Sequence, residues 1–112
     1  HIRIVNGTNR CNGRVELFHD GQWKRVCSSD WGKEAADVVC SEISCGSPVQ
    51  SATQYFGEGQ GLYGIKANCA GNETSISKCM LQEFRETCID ATITCMSKLN
   101  DISRFTTNLL QF

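Results

Sequence analysis

Apolar and polar residues alternate through RVELFH (Arg14–His19), placing Val15, Leu17 and His19 on one face. A two-residue period marks a half-buried strand. QWKRVC (Gln22–Cys27) alternates in the same way, with Trp23 and Arg25 on one face and Lys24 and Val26 on the other. Asp20-Gly21 separates the two runs, and Asp-Gly in that position predicts a tight hairpin. IRIV (Ile2–Val5) predicts a further short strand, ended by NGTN.

The period then lengthens. Ala36, Val39, Cys40 and Ile43 recur at i, i+3, i+4 and i+7, one buried stripe of a helix of about ten residues from near Lys33 to Ser44. Asp30 is placed to cap its start, and Glu34 lies in the early turns, where the helix dipole favours an acid. Gly46 offers a left-handed end, and Pro48 bars resumption. YFGEGQGLYG (Tyr55–Gly64) reads as a glycine-rich loop. IKANC predicts a short strand, SISKC one helical turn, and ATITC a final β-branched strand entering the core. No segment repeats and none is of low complexity. The expected class is α+β, a curved antiparallel β-sheet cradling one main α-helix. Beyond it, Leu99, Ile102, Phe105, Leu109 and Phe112 recur at helical spacing. Residues 97–112 are read as a C-terminal extension or linker, with docking on a neighbouring domain as the alternative.

Composition sharpens this reading. The chain has 112 residues, enough for one domain whose core alone supplies limited stability. Eight cysteines, an even number at scattered spacings, indicate a disulfide framework made in an oxidising compartment. NGT at Asn6 and NET at Asn72 fit the N-glycosylation acceptor pattern, which has meaning for a secreted chain. The net charge is −1, and the eleven basic residues form no block, so no nucleic-acid footprint is present. No apolar run approaches the roughly 18 residues of a membrane span. The expectation is an extracellular domain, secreted or from a receptor ectodomain, with any anchor outside these residues.

Three chemistries compete for the sulfurs. Structural zinc sites take closely paired ligands twice over. This chain lacks Cys-x-x-Cys and has two histidines, one of them the first residue. A nucleophilic thiol needs a free sulfur and a nearby base. His19, at a strand end before the hairpin turn, reads as a surface or half-buried strand residue rather than a general base. Staples remain, but eight cysteines allow on the order of a hundred pairings, and spacing alone chooses none of them.

The ordered motifs RIVNGTNRCNGRVELFHDGQWKRVC, AADVVCSEISCGSP, NCAGNETSISKC and TITC resemble a scavenger receptor cysteine-rich domain of group B, the eight-cysteine version, over residues 1–96. The resemblance implies the pairs Cys11–Cys45, Cys27–Cys88, Cys40–Cys95 and Cys69–Cys79. It also implies a non-catalytic binding module with no required cofactor. Many members hold calcium with an Asp-Asp pair after the second cysteine and a Glu after Gly-Asn. Here Ser28 and Ser29 stand at the pair, Asp30 is displaced, and Glu73 alone is in place. Asp30 and Glu73 are therefore the candidate metal ligands, set against roles in helix capping and as a solvated loop acid. IDATIT also replaces a longer acidic stretch common in anion-binding members.

These departures point toward the lymphocyte-receptor branch of the family, in which such domains contact other proteins. The expected function is an immune-type receptor module that binds an extracellular protein or a microbial surface ligand, with neighbouring domains of the same type. The alternatives are a calcium-dependent scavenger module for polyanions and a regulatory domain of a secreted protease. Candidate contact residues are Lys24 and Arg25 on the hairpin, Tyr55 and Phe56 by the glycine loop, and Phe84, Arg85 and Glu86 before Cys88.

Overall fold

The computed structural model describes residues 1–29, 31–49, 57, 59 and 64–96. Expectations for Asp30, Tyr55, Phe56 and residues 97–112 fall outside them.

Strand β1 (Ile2–Val5) pairs antiparallel with β2 (Asn12–His19), which forms a hairpin with β3 (Gln22–Val26). His19 faces Gln22 across the turn, with Asp20 at φ 53° and Gly21 at φ 80°. Both central residues are left-handed, the geometry whose twist suits a two-residue hairpin and for which Asp-Gly is chosen. Helix α1 (Lys33–Glu42) follows. Strand β4 (Gly64–Asn68) then lies parallel to β3, and β5 (Met80–Phe84) closes that edge antiparallel to β4. Strand β6 (Thr92–Thr94) pairs with the first residues of β2. The class is the expected α+β, with one parallel pairing in an otherwise antiparallel sheet. A 3-10 turn at Ile76–Lys78 answers the expected helical turn.

The helix starts at Lys33 and runs ten residues as expected, but its buried phase and its caps differ. Its fully buried residues are Ala35, Val38, Val39 and Cys40, while Ala36 and Ile43 are half-buried at the margin. The stripe is rotated because α1 also packs against the 3-10 turn. Glu42 accepts hydrogen bonds there from the Ile76 amide at 2.9 Å and the Ser75 hydroxyl at 3.2 Å. The N-cap is Gly32, without a side-chain cap bond. At the other end Ser44, not Gly46, takes the left-handed conformation, at φ 61°. The Cys45 amide donates to the Cys40 carbonyl and the Ser44 amide to that of Ser41, the paired closure of a Schellman motif.

One face of the sheet and α1 enclose the core: Val15, Leu17, Val26, Ile65, Ala67 and Ile93 against the helix, with Ile76 from the 3-10 turn. The disulfides are Cys11–Cys45, Cys27–Cys88, Cys40–Cys95 and Cys69–Cys79, the same pairs that the resemblance implies, and no cysteine is free. Cys40–Cys95 ties the buried face of α1 to the end of β6. Cys27–Cys88 lies directly over Gly64, where a Cβ would stand 2.5 Å from the Cys27 sulfur. A glycine is required there by close approach.

Candidate functional site

Strand parity sends Val15, Leu17 and Val26 into the core, so their neighbours Glu16, Phe18, Trp23 and Arg25 must point to the opposite face. The registers place Arg3, Glu16, Arg25, Gly64 and Phe84 in one row across five strands of that outer face. The row divides into a buried ionic half and an exposed aromatic half.

The buried half centres on Arg25 and Asp90. Arg25 Nε donates to Asp90 Oδ1 at 2.7 Å, and the two side chains are 11% and 7% exposed. A second guanidinium nitrogen of Arg25 donates to the Cys88 carbonyl at 2.9 Å. The other Asp90 oxygen accepts from the Gly59 amide at 2.8 Å. Gly59 thus lies over the sheet beside Arg14 and Arg25. Glu16, also buried, holds Arg14 at 3.1 Å and Arg3 at 2.7 Å.

The exposed half lies toward the hairpin. The Arg3 guanidinium carbon sits 4.3 Å from the centroid of the Trp23 ring. Phe18 packs edge-on against Trp23, with centroids 5.3 Å apart and ring planes at 64°. Trp23 and Phe18 are 40% and 43% exposed. Arg3 is held at both sides, by Glu16 and by the indole face, while nearly half of it stays open to solvent. A cation over an exposed aromatic ring contributes about 0.5–1 kcal/mol. The stronger consequence is order: the side chains already share one arrangement, so a partner has less entropy to remove.

The residues singled out from sequence are not assembled into one site. Lys24 points to the core side of the sheet edge and bonds Glu83 at 2.9 Å, with 19% of its side chain exposed. That hydrogen bond, with Arg85 and His19 adding to it, holds the Glu83 carboxyl below the usual carboxylate range. Arg25 faces the other way, with 11% of its side chain exposed, held by Asp90 rather than open on the hairpin. Phe84 ends β5 half-buried, with the Lys66 ammonium 5.0 Å from its ring centroid. Arg85 and Glu86 follow it, exposed. Arg3, Phe18 and Trp23 were not picked out as contacts. The available signal was parity, which leaves Phe18 and Trp23 on the face opposite Val15 and Leu17, next to the turn.

Two groups of potential metal ligands bring their atoms within 4.8 Å among the described residues. Cys69, Glu73 and Cys79 form one, but both sulfurs belong to a disulfide. His19, Asp20 and Glu83 form the other, where Lys24 already holds Glu83. Glu73 Oε2 accepts from the Ala70 amide and Oε1 from the Gly71 amide, each at 2.9 Å. These amides hold its carboxyl below the usual range. A calcium cage draws on several converging carboxylates, and of the two candidate ligands only Glu73 lies among the described residues. Serines stand at the two adjacent positions, and Glu73 spends both oxygens on its own turn.

The four bridges, the mixed sheet and the single helix define a disulfide-stapled α+β module. The scavenger receptor cysteine-rich domain model matches residues 5–96, and the chain belongs to that family. The third such domain of murine neurotrypsin is 35% identical, with 85% of this chain and 94% of that one covered at a TM-score of 0.68. The corresponding domain of mouse MARCO, solved in a dimeric form, is 30% identical over 83% of this chain and 92% of its own, at 0.59. Domain III of CD5, a group B fold, is 27% identical over 87% and 94%, at 0.60. Domains of this family are extracellular, generally non-catalytic receptor modules. Among the described residues no helix is long and apolar enough to cross a membrane.

Proposed function

We propose that this domain is the extracellular binding module of an immune-type receptor or secreted protein, and that it engages a folded protein partner through the hairpin end of the outer sheet face. Trp23, Phe18 and Arg3 are the anchors. The observation that carries this reading is the Arg3–Trp23–Phe18 stack, ordered and open to solvent. Tryptophan and arginine are the residues most enriched among binding hot spots. Both sequon asparagines, Asn6 and Asn72, are exposed. Asn6 lies three residues along the chain from Arg3, about 10 Å at strand rise, past the end of β1 that points away from the hairpin turn. The neurotrypsin relative is the third domain of its kind in its own protein, which supports a chain with sibling domains.

Alanine at Trp23 and Arg3 together is expected to lower binding of the multimerised domain to partner-bearing cells by at least about tenfold, with circular dichroism unchanged. Undiminished staining rejects this face as the contact. The calcium-dependent polyanion reading makes a separate forecast. Under the protein-binding reading, calorimetry with millimolar calcium gives no binding heat, and chelator leaves cell staining intact. A saturable calcium isotherm together with chelator-sensitive staining would reverse the choice.

A further inference from the structure

Arg10, exposed at the end of the loop before β2, lies against the Cys11–Cys45 disulfide. Its guanidinium donates to the Cys11 sulfur at 3.4 Å and to the Cys45 sulfur at 3.3 Å, and also to the Ile43 carbonyl at the end of α1. A cation in hydrogen-bond contact with both sulfurs stabilises whichever one departs as a thiolate. A lower leaving-group pKa speeds exchange, and a stabilised reduced form raises the reduction potential. The surroundings of Cys69–Cys79 have the opposite sign, since a Glu73 carboxylate oxygen lies within 4.8 Å of both its sulfurs. Cys11 and Cys45 are 2% and 4% exposed, no more open than Cys40–Cys95, so what sets them apart is the guanidinium over the sulfurs, and a reductant reaches them when the loop before β2 opens. By Cys27–Cys88, the Arg25 guanidinium is bonded to Asp90 and the Cys88 carbonyl.

We propose that Cys11–Cys45 is a site of reductive cleavage by dithiol reductants, with Arg10 holding the outgoing thiolate. A reductant thiolate attacks one sulfur of the pair. The S–S bond breaks, its electron pair leaves on the other sulfur beside Arg10, and a mixed disulfide forms. The reductant's second thiol resolves that intermediate, so the dithiol is oxidised to a disulfide and the domain gains two thiols. Opening is local. Cys11 directly precedes β2 and Cys45 directly follows the turn that ends α1, so cleavage frees the helix end from the first loop. The three remaining bridges and the Cys95 amide bond to the Cys11 carbonyl stay in place.

The test is a redox titration of the oxidised chain with reduced and oxidised dithiothreitol, quenched and read bridge by bridge through differential alkylation and mass spectrometry. Cys11–Cys45 is expected to open at a lower reductant ratio than the other three, with near-native circular dichroism at that midpoint. Arg10→Gln moves its midpoint about tenfold toward more reducing conditions, about 30 mV for a two-electron couple, and Arg10→Lys restores most of the shift. If Arg10 served only to cap the Ile43 carbonyl, its loss would loosen the helix end and ease reduction, the opposite sign. An earlier opening of any other bridge, an unchanged or easier midpoint in Arg10→Gln, or collapse of the dichroism at the first midpoint overturns the proposal.

Discussion

Reduction of all four disulfides is expected to unfold the domain completely, with loss of the β-sheet dichroism and of dispersed amide resonances at ambient temperature. The reason lies in what the core is made of. Its largest fully buried side chains are Leu17, Ile65, Ile76 and four valines, and cysteine is the commonest type among the buried apolar residues described. Trp23 and Phe18 lie outside the core on the solvent face. A fully buried aliphatic side chain contributes about 1.5–3 kcal/mol, and fixing each residue's backbone costs about 1–2 kcal/mol. A small aliphatic core does not overcome that cost over a domain of this length. The bridges shift the balance by restricting the unfolded chain. Their sequence separations run from 10 to 61 residues, which by loop-closure entropy corresponds to about 3 to about 4 kcal/mol each, without simple additivity where loops overlap. Retention of native dichroism in excess reductant, after every sulfur has been alkylated, would show that the core suffices without them.

How much of this was legible in the sequence depends on how local each cause is. The hairpin was legible because Asp20 and Gly21 carry their turn geometry in their own chemistry. The helix was legible as an element, but its buried face was set by a second neighbour, the 3-10 turn bonded to Glu42, that no periodicity in Lys33–Ser44 reveals. Its end fell on Ser44 because Cys45 must turn back to reach Cys11, so a disulfide overrode the residue preference for glycine. Strand β5 was hidden because Glu83 occupies a core-side position. Lys24, reaching from β3, makes an acid tolerable there, and pairing with β4 supplies the strand.

The surface was harder still. Of Arg14, Glu16, Arg25 and Asp90, the sequence reading singled out only Arg25, as an exposed contact. Arg14 and Glu16 are buried in the fold and the side chains of Arg25 and Asp90 are 11% and 7% exposed, with Gly59 lying against Arg14, Arg25 and Asp90 and bonded to an acid 31 residues away. The only sequence trace of Asp90 is an acid set among the apolar residues of IDATIT, and a charge so placed is rarely fully buried without a partner. The partner could not be named from spacing. The exposed stack differs in kind: Phe18 and Trp23 announce themselves by parity, but Arg3 joins them only through the register of β1 on β2.

The ionic half of the row supplies a second large effect. Arg25→Ala is expected to destabilise the oxidised domain by about 3–5 kcal/mol, read as a shift of the urea midpoint with the slope unchanged. Among the described residues Asp90, 7% exposed, would keep the Gly59 amide as its hydrogen-bond donor, for a carboxylate that now has the Arg25 guanidinium beside it. Desolvation of an uncompensated charge, rather than loss of the pair's own attraction, makes up most of that cost. The distinction is testable. Arg25→Met combined with Asp90→Leu removes both charges and fills similar volume, so it should recover most of the stability lost in Arg25→Ala. If the double variant is as unstable as the single one, the pair itself holds β3 to the Cys88–Asp90 stretch, and the desolvation account is wrong. If Arg25→Ala costs less than about 1 kcal/mol, the pair is solvated and behaves as a surface ion pair. This bears on function as well. Loss of binding in an Arg25 variant would mimic a lost contact, yet its origin would be the displacement of Gly59 and the sheet beneath it. Binding loss in Trp23→Ala with an unshifted urea midpoint has no such explanation, and that contrast separates the residues that shape the face from those that meet a partner on it.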